Sequence, residues 1–491
     1  MSLRALSVVS EAYPLIKTGG LGDVAGALPA ALAPNDVAMT TLIPGYPAVM
    51  AALKEGTVLH SYTDLFGTEA RLVAGTAKGL DVIVLDAPAF YTRGGGPYGD
   101  KDGRDWPDNG QRFGALSRAA ADLAEGKAGG PAFDVLHAHD WQTALAAAYM
   151  HYDGASIPSV VTVHNIAFPG WFPATIFPQL GLPDQAFQVE GVEYYGGVGF
   201  LKAGLHTADA ITTVSPTYAE EIREPHFGMG LEGLILKRRD RVFGIVNGID
   251  TAVWNPAEDP YLAAHYERRS LHLRRQNRAA IEETFGLAES FGPLFCVVSR
   301  LTTQKGMDVL ATMTDELVGM GGRLALIGTG DHGIEAAFNE AAMRHPGKIG
   351  VKIGYDEQLS HLLQGGSDAI LIPSRFEPCG LTQLYGLRYG CVPIAADTGG
   401  LADTIIDANS AALAAGVATG FLFNDVSKDS LIRSITHATN SFADRRAWRS
   451  IQEQGMRADF SWKRSGRQYA DLYRRFAKEP VRAAIQTSEV H

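Results

Sequence analysis

One unit recurs along almost the whole chain: a short run of β-branched and aliphatic residues, a loop of Gly, Pro or polar residues, then a helical stretch. It constrains the fold more than any single motif. In the first half the strand-like runs are Ala5–Ser10, Val37–Ile43, Asp81–Asp86, Phe133–His137, Ser159–His164, Ala210–Val214 and Val242–Val246. Most are apolar on both faces, as strands of a parallel sheet covered by helices must be. Helical stretches such as Asp23–Leu32, Gln111–Ala124 and Trp141–Tyr149 fall between them. This alternation predicts an α/β, doubly wound fold. It pauses at the charged, helical segment Asp259–Leu287, after NGID at 247–250 and Asn255-Pro256. A second series then runs through Leu294–Ser299, Leu324–Ile327, Val351–Ile353, Ala369–Ile372, Pro393–Ala395 and Gly420–Phe423. A single open sheet of that many strands is uncommon. The prediction is therefore two Rossmann-like domains, 1–246 and 247–460. Residues 461–491 follow as a C-terminal segment whose amphipathic, basic helix (Ser461–Lys478) is expected to pack back on the first domain.

Composition removes several functional classes. Lys and Arg number 43 against 54 Asp and Glu, a net charge of −11, which disfavours general binding to a nucleic-acid backbone. The three cysteines, Cys296, Cys379 and Cys391, make no disulfide framework and no C-x-x-C. No run of about 18 apolar residues predicts a membrane span. The opening MSLRALSVVSEAYP turns polar too soon for a signal peptide. The expectation is a cytoplasmic protein with neither nucleic acid nor membrane as partner.

Doubly wound domains bind ligands at the carboxyl ends of their strands, and polar clusters fall there repeatedly. They are Glu11, KTGGLGDV (17–24), HAHDW (137–141), HN (164–165) and NGID (247–250), then SRLTTQK (299–305), GTGD (328–331), SRFEPCGLTQ (374–383) and DTGG (397–400). Two such edges facing each other would line a crevice from both domains. KTGGLGDV contains G-x-G-x-x-A at Gly20, Gly22 and Ala25, close to a dinucleotide fingerprint. The second strand, however, ends Leu42-Ile43-Pro44, with no acid to hold a ribose diol. Lys17 beside glycines suits an anionic or sugar ligand, or else is a solvated lysine at a glycine turn. In SRLTTQK, Arg300 and Lys305 suit a diphosphate, or are solvated surface charges. In SRFEPCGLTQLYG, Pro378 breaks the strand and Gly380-Leu381-Thr382 open a helix whose free N–H groups suit phosphate. Glu377 would then meet sugar hydroxyls, or merely cap the helix. The spacing of His137, His139 and Asp140 fits no common zinc pattern, so no metal is expected. A sugar-facing Asp140, with the histidines packed or hydrogen-bonded, is the preferred reading, and His164 is either a core histidine or a polar group above a reacting sugar. No G-x-S-x-G, Walker A or H-E-x-x-H occurs.

In this order, KTGGLGDV, HAHDW, VTVHN, VNGID, SRLTTQKG, SRFEPCGLTQLYG and DTGGLADT resemble the bacterial glycogen synthase and plant starch synthase family over nearly the full length. The resemblance implies a GT-B glycosyltransferase of two Rossmann-like domains facing across a cleft. It implies transfer of glucose from ADP-glucose to the non-reducing end of an α-1,4-glucan such as glycogen, releasing ADP, with retention and without metal or other cofactor. It places Lys17, Gly19 and Gly20 by the donor phosphate and sugar. Arg300 and Lys305 would meet the leaving diphosphate with the amides of Gly380, Leu381 and Thr382. Glu377 would hold the glucose hydroxyls and His164 the reacting sugar. Asp140, Asn165 and Asn247 would line the glucose and acceptor side, and Tyr355 the adenine. Glu11, Asp23, Tyr98, Gly330 and Cys379 complete the implied substrate-binding set. Many related retaining transferases carry a second glutamate; here Tyr385 stands in that place, a change the glycogen synthase branch tolerates. Front-face attack by the acceptor hydroxyl is therefore expected, in domains that close on the donor. Rival readings are an NAD-dependent oxidoreductase, a glucan phosphorylase of the same architecture and a non-catalytic glucan-binding protein. The phosphorylase would need a pyridoxal-binding lysine, which no motif marks.

Overall fold

Strands form where the β-branched runs lie. The computed structural model describes residues 2–478, and the chain divides into two compact units: residues up to Gly248 together with those from Trp462 onward, and Ile249–Ser461. In chain order the strands of the first unit are β1 (Leu3–Val8), β2 (Val37–Pro44), β3 (Leu53–Leu65), β4 (Thr68–Ala77), β5 (Leu80–Asp86), β6 (Val135–His139), β7 (Ser159–Val163), β8 (Trp171–Pro173), β9 (Glu193–Tyr194), β10 (Gly197–Gly199), β11 (Ala210–Thr213) and β12 (Val242–Gly244). Among the described residues nine of them make one sheet, in the order β12-β11-β7-β6-β1-β2-β5-β4-β3. β8, β10 and β9 make a small separate one.

The main sheet is parallel from β12 to β5. Its edge is not. β4 runs antiparallel to both β5 and β3, a hairpin that the expectation of a wholly parallel sheet missed. Phe66-Gly67 and Lys78-Gly79 link the three strands, and all four residues have positive φ, the two-residue turn whose twist matches a hairpin. β3 is mostly exposed, as an antiparallel edge with one wet face allows.

Strand order reverses between β1 and β6, so the carboxyl ends of these strands open a crevice where ligands bind in such sheets. Glu11, the 17–24 loop and HAHDW lie at those ends. Behind them, the helix Trp462–Lys478 buries Ser465, Gly466, Tyr469, Ala470, Leu472, Tyr473 and Phe476, a 3.6-period stripe. It packs with Leu28, Leu32, Val37 and Val135. Fully burying Tyr469, Tyr473 and Phe476 contributes about 1.5–3 kcal/mol each. The rest of the 461–491 segment, 479–491, lies outside the described residues.

The second unit carries β13 (Leu294–Val298), β14 (Arg323–Gly328), β15 (Ile349–Ile353), β16 (Ala369–Ile372), β17 (Val392–Ala396) and β18 (Phe421–Phe423). Their order is β15-β14-β13-β16-β17-β18, and every pairing is parallel. This is the doubly wound 3-2-1-4-5-6 order, with its switch point between β13 and β16. The two segments read as phosphate-binding, 299–305 and 377–382, lie past the ends of those two strands. Asp259–Leu287 is largely helical, as a 3₁₀ turn at Arg268–Leu273 and a helix at Arg274–Phe285.

Candidate active site

At the switch point of the second unit an ion pair is already formed. Lys305 Nζ lies 2.5 Å from Glu377 Oε2, and the buried Ser374 hydroxyl donates to the same oxygen at 2.9 Å. The resemblance gives Lys305 the diphosphate and Glu377 the glucose as partners; the fold, in addition, pairs the two side chains with each other. Arg375 locks the two loops together. Its guanidinium grips Asp308 with bonds of 2.7 and 2.8 Å, and its backbone N–H donates to Gln304 O at 2.9 Å. Sequence reasoning missed Ser374, Arg375 and Asp308. The first two stand inside SRFEPCGLTQ, but the Asp308 partner is too far along the chain to be read.

Glu377–Thr382 is held from behind by the DTGG loop. Gly400 N–H donates to Glu377 O at 3.1 Å. Gly399 has φ +45, and a Cβ there would sit 2.1 Å from Glu377 O, so only glycine fits. Gly380, at φ +71, turns the chain into the helix Thr382–Tyr389, and Gln383 Nε2 donates to Cys379 O and Gly380 O at 2.9 and 3.0 Å. The arrangement leaves Gly380, Leu381 and Thr382 at a helix start, where free N–H groups favour an anion. Arg300 is exposed just past β13. Its neighbour Leu301 pairs with Gly330, which brings GTGD beside SRLTTQK. Tyr355, 74% exposed, follows β15 on the same edge. Tyr385 stacks on Trp254 with ring centroids 3.6 Å apart, so an aromatic plate occupies the place of a second carboxylate.

The first unit is built differently. Glu11 is buried and acts as a hub: Tyr98 Oη and Thr18 Oγ1 each donate to Oε1 at 2.9 Å, and the N–H groups of Thr18 and Gly19 donate to Oε2. Ser10 Oγ lies 2.8 Å from Tyr98 Oη, and burial raises the Tyr98 phenol. Glu11 and Tyr98 thus hold the 17–20 loop in shape. Lys17 Nζ is 2.7 Å from Asp23 Oδ1 at the start of the helix Gly20–Leu32.

At the ends of β6 and β7, His139 Nδ1 lies 3.0 Å from His164 Nε2. The His137 ring lies tilted against His139 with centroids 4.1 Å apart, and His137 Nδ1 meets Tyr473 Oη of the terminal helix at 2.7 Å. Burial lowers all three imidazoles, His137 and His164 to about 3 and His139 well below the usual range. All three stay neutral near pH 7. Asp140 has φ +54, which turns its side chain to accept the His164 backbone N–H at 2.6 Å and that of Asn165 at 3.4 Å. Burial nevertheless pushes its carboxyl up to about 7, against those two bonds. Asn247 Oδ1 is buried with no hydrogen-bond partner among the described residues. Among those residues no three His, Cys, Asp or Glu side chains converge as a metal-ligand set; the histidines of HAHDW are spent on one another and on hydroxyls. No helix among them is long and apolar enough to cross a membrane.

Two Rossmann-ordered units, one ending in a paired cation and carboxylate beside a helix start and the other in a hydrogen-bonded carboxylate, a lysine-bearing glycine loop and buried imidazoles, define a glycosyltransferase of the GT-B fold. Residues 4–237 match the model for the starch synthase catalytic domain, and 284–454 that for glycosyl transferases group 1. The chain is 60% identical over 477 residues to a glycogen synthase of Novosphingobium aromaticivorans, covering 96% of this chain and 98% of that one. It is 58% identical over 473 residues to that of Mesorhizobium japonicum, with the same coverage. The catalytic domain of starch synthase IV from Arabidopsis thaliana, bound to ADP and acarbose, superposes with a TM-score of 0.87 at 32% identity, over 98% of this chain and 100% of that one. The chain belongs to the bacterial glycogen synthase family. Membership sets aside the oxidoreductase, phosphorylase and non-catalytic readings.

Proposed function

We propose that this chain moves glucose from ADP-glucose to the non-reducing end of an α-1,4-glucan with retention, releasing ADP, and that the residues above divide the work by charge. Breaking the sugar–phosphate bond builds positive charge on the sugar and negative charge on the diphosphate. Fixed donors and cations aimed at the departing charge are the strongest lever a protein has on such a step. Arg300, Lys305 and the amides of Gly380, Leu381 and Thr382 supply them, and Tyr355 takes the adenine. Glu377 orients the glucose hydroxyls through Oε1, since Lys305 and Ser374 both bind Oε2. On the first unit, Lys17, Asp23 and the glycines serve the donor phosphate and sugar, His164 the reacting sugar, and Asp140, Asn165 and Asn247 the glucose and acceptor hydroxyls.

The single observation carrying this reading is the Lys305–Glu377 pair at the β13/β16 switch point. It puts a phosphate-seeking cation and a hydroxyl-seeking carboxylate within one bond of each other, as a sugar–phosphate link requires. Retention by double displacement would need a second carboxylate about 5–5.5 Å away. Tyr385, committed to its stack on Trp254, is no such group. The acceptor hydroxyl therefore attacks from the face the diphosphate leaves, and a phosphate oxygen takes its proton. Transfer of radiolabelled glucose to glycogen from ADP-glucose and UDP-glucose, side by side, tests the donor. ADP-glucose should be clearly preferred; equal or better turnover with UDP-glucose overturns that assignment. Trapping a glucosyl-enzyme ester would overturn the front-face route.

A further inference from the structure

Behind His164 runs a buried chain that the reaction scheme does not use. Ser7 Oγ lies 3.4 Å from His139 Nε2, and His139 Nδ1 lies 3.0 Å from His164 Nε2. Ser7 and His139 are fully buried, so each proton between them must be satisfied inside the protein. The sole hydrogen-bond partner of the Ser7 hydroxyl among the described residues is His139 Nε2. A hydroxyl that only accepted there would bury its own proton without a partner; one that donates leaves unused only lone pairs, the cheaper omission. Ser7 therefore donates to His139 Nε2. A neutral His139 then carries its proton on Nδ1 and donates to His164 Nε2. His164 must in turn carry its proton on Nδ1, the nitrogen left for a ligand.

We propose that Ser7 and His139 are positioning residues that hold His164 as the Nδ1–H tautomer, so that it offers the glucose a neutral hydrogen-bond donor. The proposal rests on His164 facing the reacting sugar, as argued above. Its chemical sense lies in the charge that develops there. A sugar losing its phosphate becomes positive, and an imidazolium beside it would oppose the step. With Nε2 engaged as an acceptor, His164 can take a second proton only if the bonds to His139 and Ser7 both reverse, which leaves the Ser7 hydroxyl proton without a partner. Burial pushes in the same direction, holding His164 at about 3. The logic is that of other active sites in which a histidine polarises its substrate as imidazole rather than imidazolium.

Side-chain ¹⁵N shifts of histidine-labelled full-length protein report the tautomer directly, with His164→Gln identifying the signal. The free wild-type protein should show His164 protonated on Nδ1; an Nε2–H tautomer, or an imidazolium near pH 7, overturns the proposal. His139→Leu should lower kcat by about 10-fold, less than the ~10²–10³ lost when a transition-state donor is removed outright. KM for ADP-glucose should stay within about twofold, because the change acts on the transition state. His139→Asn, whose amide N–H replaces Nδ1–H, should recover most of kcat and restore the wild-type shift. Ser7→Ala, a smaller change to the core, should raise the Nε2–H population of His164. Unchanged kcat and tautomer in His139→Leu, or an asparagine no better than leucine, would overturn it. Should His164→Ala leave kcat intact, the sugar-facing assignment fails instead, while the tautomer measurement still stands or falls by itself.

Discussion

The two units hold their polar residues in opposite ways. In the second, the site is ionic: Lys305 on Glu377, Arg375 on Asp308, and Arg300 exposed. In the first, an ion pair and a carboxylate shape the 11–23 loop, but the ends of β6 and β7 are close to neutral, with three imidazoles and an Asp140 carboxyl that burial shifts towards their uncharged forms. On the proposed roles, the difference matches the charges that the broken bond would leave on its two sides. A diphosphate is anionic from the start and rewards cations, whereas a sugar turning positive is best met by neutral dipoles and held hydroxyls.

The largest expected effect tests the ionic half. Arg300→Ala and Lys305→Ala should each lower kcat by roughly 10²–10³, about 2.7–4 kcal/mol, in steady-state transfer assays. Lys305→Ala also strips Glu377 of its partner. The double variant Lys305→Ala/Glu377→Gln should therefore fall well short of the product of the two single effects, as directly bonded residues do. Full additivity would mean that the pair does not act as one unit.

The neutral half is sharpened by pH. Burial holds the Asp140 carboxyl at about 7 in the fold, above its ordinary 3.8. Between those values the native protein binds more protons than the unfolded chain, so this group's contribution falls as pH rises through the window. Asp140→Asn removes that penalty. The variant should be more stable than the parent at pH 8, by a few kcal/mol at about 1.4 kcal/mol for each pH unit between the two values, because the carboxyl is largely buried, and the gap should close towards pH 4. Urea unfolding at pH 4.5, 6 and 8 measures it, and a gap that widened on acidification would contradict the neutral picture.

Smaller again is Tyr473→Phe, which removes the hydroxyl beside His137 Nδ1 and leaves the ring. A cost of about 1–3 kcal/mol in stability is expected for an orphaned buried partner, read by denaturant midpoint, with kcat little changed. The smallest expected effect is none at all. On the proposed roles, two cations and a helix start would do for the diphosphate what Mg²⁺ does in many phosphoryl sites, so activity should survive EDTA. Loss on chelation, recovered with Mg²⁺ or Mn²⁺, would break the comparison at its ionic end.

Much of this could be read from the chain because strands buried on both faces are long apolar runs, and polar residues at their carboxyl ends interrupt them visibly. Lys305, Glu377 and the glycines of SRFEPCGLTQ and DTGG stood out for that reason. The β3–β4 hairpin did not. Its polar, half-exposed residues make no such apolar run, although Phe66-Gly67 and Lys78-Gly79 sit at the turns. The bond from His139 to His164 was out of reach for a different reason. It depends on register: β6 pairs with β7 so that His139 lies opposite Thr162, and His164, two residues on, returns to the same face. Nothing local to HAHDW or VTVHN records that offset. The Arg375–Asp308 clamp was hidden in the same way, by a partner on a separate loop.

The chain leaves the first unit at Gly248 and re-enters it at Trp462, and this has a consequence for the order of synthesis. The second unit is, in effect, a guest inserted near the end of its host. A ribosome adding ~5–20 residues per second needs roughly 10–40 s to make the two hundred or so residues between those points. Throughout that interval the groove awaiting Tyr469, Tyr473 and Phe476 stays open to water, with Val37 and Val135 at its floor. The guest can fold as soon as it emerges, while the host, begun first, is completed last.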